Sequence, residues 1–257
     1  MPTGLLHVEH VMGMAVSIDV RDDEVPVAAL RDVIAWLHHV DATFSTYRYE
    51  SPISAFGRGE LELEGLSDEV RGVLDLCEQV HLDSDGAFDI CAVPAPNGTR
   101  LDPSGLVKGW SIERAGAILT EAGARSFCIN AGGDIVVRGE PEPGQPWVVG
   151  IRHPDDAATL AAVLEARGAL AIATSATYER GAHIIVPRTG EPTTELASVT
   201  VVGPDLTWVD AYATTVFVMG LEGLEWLDRH PGYGGLVITH DGLVWSTAEM
   251  DRYRRRG

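Results

Sequence analysis

The sequence predicts an α+β fold, because helical patterns fill its first half and short strand-like runs fill its second half. After Pro26, apolar residues recur at three- and four-residue intervals, which indicates an amphipathic helix. From residue 127 onward, most apolar runs are short and separated by Gly or Pro, which is typical of strands. This order of helices and strands does not suit a doubly wound sheet. Neither a Gly-rich dinucleotide-binding loop nor a P-loop occurs, so those two nucleotide-binding motifs are not predicted.

Three helices are predicted in the first half, preceded by a strand over residues 7–20. The first helix opens at Pro26. The second starts at Ser67, whose hydroxyl is followed by two acidic residues, as at many helix N-termini. The third follows Gly105 and ends near Gly123. The predicted buried faces are Leu30, Val33, Ile34 and Leu37, then Val70, Val73, Leu74, Cys77 and Val80, then Ala115, Ile118 and Leu119.

The second half is predicted to contain strands and two further helices. The strands are expected at residues 127–130, 135–138, 147–151, 170–174, 183–186 and 198–202. One helix is expected to start at Asp210 and another to cover residues 221–230. Asp241 and Gly242 lie between two apolar runs, which is a strong signal for a β-hairpin.

Composition places the chain among ordinary globular proteins. Of its 257 residues, 45% are hydrophobic and 22% are charged, and we expect a single domain over residues 1–257. The net charge of −19 disfavours nucleic acid as a partner, because an acidic surface repels phosphates. No apolar run reaches the roughly 18 residues of a membrane span, and no signal peptide is recognisable.

The cysteines add a further exclusion. Cys77, Cys91 and Cys128 are odd in number and have no paired spacing, so neither a disulfide framework nor a zinc site is predicted. Because reduced thiols are usual inside cells, we expect a cytoplasmic location.

A loop that leads into the third predicted helix carries the first candidate chemistry. Asp102, Gly105 and Lys108 lie close together there. Main-chain N–H groups at a helix start attract phosphate, a lysine adds a positive charge, and a glycine lets a ligand approach the backbone. The alternative is an aspartate that caps the helix beside a surface lysine.

Two further motifs lie in the strand region. The paired glycines Gly132 and Gly133 suit a turn, and they also suit a backbone that passes against a flat ligand. The hydroxyls of Thr174 and Ser175 either contact a ligand or pair across strands. His183 is either a structural residue of a strand or a catalytic group.

A fourth motif lies near the C-terminal third of the chain. In a helix, Asp210 and Thr214 are four residues apart and share one face. Carboxylate and hydroxyl oxygens are hard ligands that suit Mg²⁺. The small neighbours Ala211 and Ala213 leave room for a bulky group. The alternative is an aspartate cap followed by a core-facing threonine.

In this order, the motifs resemble those of the ApbE-type FAD:protein FMN transferases, from about residue 12 to residue 220. The matching residues are Met12-Gly13, Phe44-Ser45-Thr46-Tyr47 with Ser51, Gly86-Ala87-Phe88-Asp89, Asp102 with Gly105, Lys108 and Gly109, Gly132-Gly133-Asp134, Thr174-Ser175, His183-Ile184, Pro187 to Gly190, and Asp210 with Thr214. One residue departs from the pattern: Ala176 stands where the family usually has glycine, and its methyl group would be strained at a positive φ.

The resemblance implies a T-fold-related α+β architecture, with two intimately joined lobes of mixed or antiparallel sheet and helices, and with the flavin between them. It also implies which residues bind FAD and which bind Mg²⁺. The implied FAD-binding residues are Met12, Tyr47, Ala87, Phe88, Asp89, Asp102, Lys108, Ser175 and Ile184. The implied Mg²⁺ ligands are the Gly105 carbonyl, Asp210 and Thr214.

The implied reaction is Mg²⁺-dependent cleavage of FAD to AMP, with FMN attached through a phosphoester to a Thr or Ser of an acceptor flavoprotein. A hydroxyl nucleophile benefits from a base whose pKa is near neutrality, which makes His183 the first candidate and Asp210 the second. Two alternatives stay open: an FAD pyrophosphatase that releases FMN and AMP, and a non-catalytic FAD-binding protein.

Overall fold

The computed structural model describes residues 4–92, 95–156, 158–177, 185–191 and 193–255. Its strands are β1 Leu5–Val11, β2 Met14–Val20, β3 Phe127–Ala131, β4 Asp134–Arg138, β5 Trp147–Arg152, β6 Leu160–Ala166, β7 Leu170–Ala176, β8 Leu196–Gly203, β9 Gly234–Thr239 and β10 Val244–Ser246. Its helices are α1 Val27–Phe44, α2 Pro52–Gly57, α3 Asp68–Asp83, α4 Ser104–Glu121, α5 Leu206–Met219, α6 Glu222–Leu227 and α7 Ala248–Asp251, with a 3₁₀ turn at Leu63–Gly65.

The described strands form two antiparallel sheets. Eight of them follow the order β1-β2-β3-β4-β7-β8-β9-β10, and β5 pairs with β6 in a separate hairpin. Every pairing between these strands is antiparallel. The combination of helices with antiparallel sheets confirms the predicted α+β class.

The large sheet is covered on both faces over its central strands. Alternation along β4 shows this, since Val136 packs in one apolar cluster while Ile135 and Val137 pack in another. The first cluster joins the sheet to α1, α4 and α5 through residues that include Ile18, Leu37, Leu119, Ile129, Val199 and Phe217. The second joins it to the β5–β6 hairpin through residues that include Trp147, Leu164, Ile172 and Leu236. A third cluster holds α1, α3 and α4 together.

The N-terminal prediction was wrong in one respect: residues 7–20 form a hairpin rather than one strand. Met12 and Gly13 form its tip with φ angles of 54° and 74°. Two consecutive left-handed residues give the turn that fits the twist of two short-linked strands. The turn was not recognisable from the sequence, because its first left-handed position is occupied by a methionine rather than by glycine or asparagine.

Two helix boundaries also differ from the prediction. Helix α5 begins at Leu206 rather than Asp210, because the Asp205 carboxylate caps it by accepting a hydrogen bond from the Thr207 amide at 2.8 Å. Asp210 therefore lies inside the helix, and the alternative that made it a cap is wrong. Helix α6, at Glu222–Leu227, is shorter than the predicted 221–230.

Strand β6 was not predicted, because Leu160–Ala166 is rich in alanine and has no clear alternation. Other expectations are confirmed. Ser67 caps α3 by accepting a hydrogen bond from the Val70 amide at 3.3 Å. The hairpin at Asp241 and Gly242 joins β9 to β10.

Helices α4 and α5 approach each other closely along one seam, which the glycines of α4 define. A Cβ atom added at Gly109 would lie 2.3 Å from the Leu206 carbonyl oxygen and 2.7 Å from Asp210 Cβ. One turn earlier, a Cβ at Gly105 would lie 3.7 Å from Thr214 Oγ1. Gly109 thus faces Asp210 and Gly105 faces Thr214, so the two helices run antiparallel along this seam.

Replacing Gly109 by alanine is expected to lower the free energy of unfolding by about 1–3 kcal/mol, because the methyl group collides with backbone. The matched control is Gly72→Ala on the exposed side of α3, where an added Cβ meets nothing within 4 Å. This control should raise the free energy of unfolding by about 0.5–1 kcal/mol, as helix propensity predicts. Urea denaturation of both variants measures the difference; equal effects would contradict the tight seam.

Candidate active site

A lysine and two aspartates meet where the α4–α5 seam reaches the sheet. Lys108 Nζ lies 2.7 Å from Asp134 Oδ2 and 3.9 Å from Asp210 Oδ1. The side chains of Asp134 and Asp210 are 1% and 5% exposed, and that of Lys108 is 22% exposed. Three elements that are distant in the sequence, α4, β4 and α5, therefore contribute to one buried charge cluster.

Local structure holds both carboxylates in place. The Gly109 amide donates a hydrogen bond to Asp210 Oδ2 at 2.9 Å. Gly132 and Gly133, with φ angles of 61° and 102°, form the turn between β3 and β4, and the Gly133 amide donates to Asn130 Oδ1 at 2.9 Å. This turn places Asp134 at the start of β4 on the helix-facing side of the sheet.

The cluster holds two buried carboxyl groups beside one ammonium that is partly exposed. Burial raises the pKa of Asp210 to about 8, and the neighbouring Asp134 carboxylate adds to the rise. Burial also raises the pKa of Asp134 above its usual range, although the Lys108 ammonium opposes this shift. Asp134 Oδ2 lies 2.7 Å from the ammonium, and the carboxyl group also contacts Asp210 and the Thr174 backbone. A second cation or a shared proton would balance the charge.

Gly105, Thr214 and Phe88 adjoin this cluster one helical turn away. A Cβ at Gly105 would lie 3.4 Å from Phe88 Cε2, so the phenyl ring packs beside the helix start. The Phe88 side chain is buried. The Phe88 amide donates a hydrogen bond to Ser84 Oγ at 3.0 Å, and the Phe88 carbonyl accepts one from His81 Nδ1 at 2.9 Å. The loop that contains Ala87, Phe88 and Asp89 is therefore fixed next to α4.

Asp89 and Asp102 lie in adjacent loops. The Asp102 amide donates to the Ile90 carbonyl at 2.8 Å, which joins the two loops. Asp89 Oδ1 accepts from the Cys91 amide at 2.7 Å, and Asp102 Oδ1 accepts from the Ser104 amide at 3.0 Å. Each carboxylate uses one oxygen to shape its own loop.

Met12 reaches the site from the tip of the N-terminal hairpin. Ser111 Oγ donates to the Lys108 carbonyl at 2.8 Å, and Met12 Sδ lies 4.0 Å from the same hydroxyl oxygen. A groove of about 410 Å³ runs beside the hairpin tip, with Met12 and Arg48 among its walls. Tyr47, in the loop after α1, is 80% exposed. The structure thus places Met12 against α4 and leaves the Tyr47 ring open to solvent.

Thr174, Ser175 and Ala176 lie at the end of β7 and pair with β8. Ser175 pairs with Val199 in the sheet, and Thr174 Oγ1 lies 2.9 Å from Thr200 Oγ1, the cross-strand hydroxyl pair anticipated as one alternative. Ala176 is an ordinary strand residue paired with Ser198. Its φ is not positive, so its methyl group causes no strain. His183 and Ile184 lie outside the described residues.

Sequence reasoning did not assign a role to Asp134. Its position before an Ile-Val-Val run was the available signal, because alternation places it on the same sheet face as Val136. Glu113 was also overlooked. It accepts hydrogen bonds from the Leu206 amide at 2.8 Å and from Arg138 at 2.6 Å, which ties α4 to the start of α5 and to β4.

The motifs that converge on this cluster are those of a known family. The ApbE family model matches residues 12–97 and 92–237. The chain belongs to the ApbE family. The resemblance inferred from the motifs is thereby confirmed.

Curated relatives of this ApbE-family protein carry the name FAD:protein FMN transferase. The chain is 36% identical to that of Rhodobacter capsulatus over 160 residues, which are 59% of this chain and 30% of the relative. It is 31% identical to that of Treponema pallidum over 215 residues, 73% of this chain and 58% of the relative. For Klebsiella pneumoniae the identity is 28% over 163 residues, 60% of this chain and 47% of the relative. The alignments therefore span only part of each relative.

Solved structures share the fold over almost the whole chain. The ApbE protein of Thermotoga maritima matches with a TM-score of 0.86 at 20% identity, covering 98% of this chain and 100% of the other. The flavinyl transferase ApbE of Pseudomonas stutzeri matches with a TM-score of 0.85 at 24% identity, covering 99% and 97%. The ApbE-like architecture expected from the motifs is confirmed. Within the described ranges, no helix is long and apolar enough to cross a membrane.

The buried aspartates predict a pH dependence of stability in metal-free protein. Because the folded-state pKa of Asp210 is raised to about 8, the carboxyl group stabilises the fold below its ordinary pKa of about 4, and this contribution is lost as pH rises through 8. In the presence of a chelator, wild type should therefore lose more than about 1 kcal/mol relative to Asp210→Asn between these pH values.

Urea denaturation across this pH range measures the effect. Asp75→Asn, at an exposed position of α3, controls for the removal of one negative charge. Parallel pH profiles of wild type and Asp210→Asn would contradict the burial of a proton-binding pair.

Proposed function

We propose that this ApbE-family protein transfers FMN from FAD to a Thr or Ser hydroxyl of an acceptor protein, with Mg²⁺ as cofactor. The observation that carries the proposal is the buried cluster of Lys108, Asp134 and Asp210 beside the start of α4. Such a cluster offers one fixed positive charge for a pyrophosphate and two carboxylates for a hard cation. The names of the curated relatives support the same reaction.

The residues present fit Mg²⁺. Although the described residues contain no group of three or more His, Cys, Asp and Glu able to hold a metal, Mg²⁺ also accepts carbonyl, hydroxyl and water oxygens. Thr214 Oγ1 lies beside Gly105 across the seam, and Asp210 lies one turn from Thr214 on the same face of α5. The Gly109 amide, which in a helix serves the carbonyl of Gly105, donates to Asp210. The Gly105 carbonyl can accept a further partner in any case, because a carbonyl oxygen has two lone pairs.

When bound, Mg²⁺ would neutralise charge on the pyrophosphate and on the leaving phosphate oxygen. The ligand set would be the Asp210 carboxylate, the Thr214 hydroxyl and the Gly105 carbonyl. Lys108 would bind a phosphate oxygen from its position in the second turn of α4.

The remaining residues would orient the two halves of FAD. The fixed Phe88 ring offers an apolar wall beside Gly105, and the exposed Tyr47 ring offers a flat surface for an aromatic ligand. Asp89 and Asp102 each use Oδ1 within their loops, so Oδ2 can accept hydrogen bonds from ribose, ribityl or adenine donors. Met12, Ser175 and Ile184 complete the proposed FAD site.

His183 is proposed as the base that removes the proton of the acceptor hydroxyl. The hydroxyl oxygen then forms a bond to the phosphorus on the FMN side, the bond from that phosphorus to the bridging oxygen breaks, and AMP leaves. The support is chemical, since imidazole is the side chain whose usual pKa lies nearest neutrality. Asp210 is the second candidate, although a metal-bound carboxylate is a weaker base.

The direct test combines the protein with FAD, Mg²⁺ and candidate acceptor proteins. Mass spectrometry of the acceptor should show a gain equal to FMN minus water, located on a Thr or Ser, with AMP released. Release of free FMN and AMP in place of labelled acceptor would identify a pyrophosphatase. Bound but intact FAD would identify a non-catalytic binding protein. Either result would overturn the transfer proposal. The experiment does not bear on the cytoplasmic location, which stays a prediction.

Neighbouring threonines of α5 provide a matched test of the Mg²⁺ assignment. Thr214→Val removes the hydroxyl that faces Gly105, and we expect Mg²⁺-dependent turnover to fall about 10-fold or more. Thr215→Val is the control, because Thr215 Oγ1 donates to the Ala211 carbonyl at 2.8 Å within the same helix. Metal titrations of turnover should separate the two variants. Equal losses, or no loss at Thr214, would count against this ligand.

Replacing His183 by alanine should lower transfer by about 10²- to 10⁴-fold, the usual contribution of a general base. The affinity for FAD should change little, since the proposed role is proton removal. Fluorescence titration with FAD and initial rates at saturation measure the two quantities separately. Weaker FAD binding with unchanged turnover at saturation would make His183 a ligand contact instead.

A further inference from the structure

Lys108 is the only lysine in the chain, and all other Lys/Arg positions are arginine. This one ammonium group lies in the buried cluster, 2.7 Å from Asp134 and 3.9 Å from Asp210. An ammonium is a compact point charge with three donors, whereas a guanidinium is a planar fork that needs more room. The site therefore uses the side chain that most resembles a small inorganic cation.

The ammonium lies closer to one carboxylate than to the other. Contact with Asp134 is close, and the distance to Asp210 is longer by more than an ångström. Asp210 is further held by the Gly109 amide and stands one turn from Thr214 on the side of the proposed metal ligands. Asp134 approaches the cluster from β4, where it contacts both the ammonium and the Asp210 carboxyl group. One carboxylate is thus placed to keep the lysine while the other can exchange it.

We propose that Lys108 is an exchangeable stand-in for Mg²⁺: in metal-free protein its ammonium balances Asp210, and Mg²⁺ replaces it there while Asp134 retains the lysine and directs it toward the pyrophosphate. Asp134 is then a positioning residue that acts through Lys108. Because the exchange assigns Mg²⁺ and a pyrophosphate to this cluster, it rests on the proposed function.

Exchange makes the two ligands cooperative. Mg²⁺ at Asp210 repels the ammonium and makes it available to a phosphate, and a phosphate that holds the ammonium makes Asp210 available to Mg²⁺. Each ligand therefore raises the affinity for the other by the same factor, as thermodynamic linkage requires. The coupling depends on Lys108 carrying its charge.

The decisive measurement is calorimetric titration with Mg²⁺ in the absence of FAD. Lys108→Met removes the competing charge and keeps a similar side-chain length, so the variant should bind Mg²⁺ about 10-fold more tightly than wild type. Mg²⁺ should also raise the melting temperature of this variant more than that of wild type. Lys108→Arg retains the charge and should not gain Mg²⁺ affinity.

Unchanged or weaker Mg²⁺ binding by Lys108→Met would overturn the proposal, because a lysine that only contacts phosphate does not compete with the metal. A gain in Mg²⁺ affinity that Lys108→Arg shares would also overturn it, since the charge would then not be the cause. Neither readout involves turnover, so a protein that exchanges its cation normally but transfers no FMN would refute only the proposed function.

The role of Asp134 is tested by a double-mutant cycle on the affinity for FAD in the presence of Mg²⁺. Asp134→Asn should weaken FAD binding in the wild-type background, because Lys108 loses the group that directs it. In the Lys108→Met background, the same substitution should have little further effect. Equal effects in both backgrounds would show that Asp134 acts independently of Lys108 and would overturn its assignment as a positioning residue.

Discussion

Two buried carboxylates lie beside one partly exposed ammonium, and the surrounding structure compensates for this excess of negative charge. Removing a charge from water is costly unless a partner compensates for it. Asp134 has Lys108 at 2.7 Å, and Asp210 has the Gly109 amide at 2.9 Å, yet the cluster keeps a net negative charge when both carboxyl groups are ionised. Burial is the main cause that raises the pKa of both aspartates, and for Asp210 the Asp134 charge adds to it. The proposed Mg²⁺ would resolve the same imbalance, because a divalent cation balances two carboxylates.

The fold supplies this cluster by bringing three elements to one point. Helix α4 contributes Lys108, and α5 crosses it closely because Gly109 has no side chain. The glycine turn before β4 places Asp134 beneath the two helices. Glu113 fixes the relative position of these elements, since it binds both the first amide of α5 and an arginine of β4. The scaffold therefore holds the carboxylates in place where they meet, and the loops proposed to bind FAD extend from it.

Sequence patterns revealed the parts of this arrangement that are local. Helix periodicity located α1, α3 and α4, and the Asp210–Thr214 spacing correctly placed two oxygens on one helical face. Features set by distant contacts were missed. Strand β6 is alanine-rich, and its pairing with β5 stabilises it as a strand. The hairpin tip has a methionine, Met12, in a left-handed conformation, and this residue type does not indicate a turn. Asp134 gains its importance from Lys108, which is 26 positions earlier in the sequence and adjacent only after folding.

The spacing of the two helical motifs has a common physical explanation. Gly105 and Gly109 are four residues apart on α4, and Asp210 and Thr214 are four residues apart on α5. Because four residues make about one helical turn, each pair presents both members along one stripe of its helix. In an antiparallel crossing, the glycine stripe lies against the oxygen-bearing stripe, so Gly109 meets Asp210 and Gly105 meets Thr214. A side chain on Gly109 would force the helices apart, and one on Gly105 would fill the space beside Thr214 Oγ1. The same spacing thus satisfies close packing and places the oxygens of Asp210 and Thr214 along one side of the seam, where the proposed cation would bind.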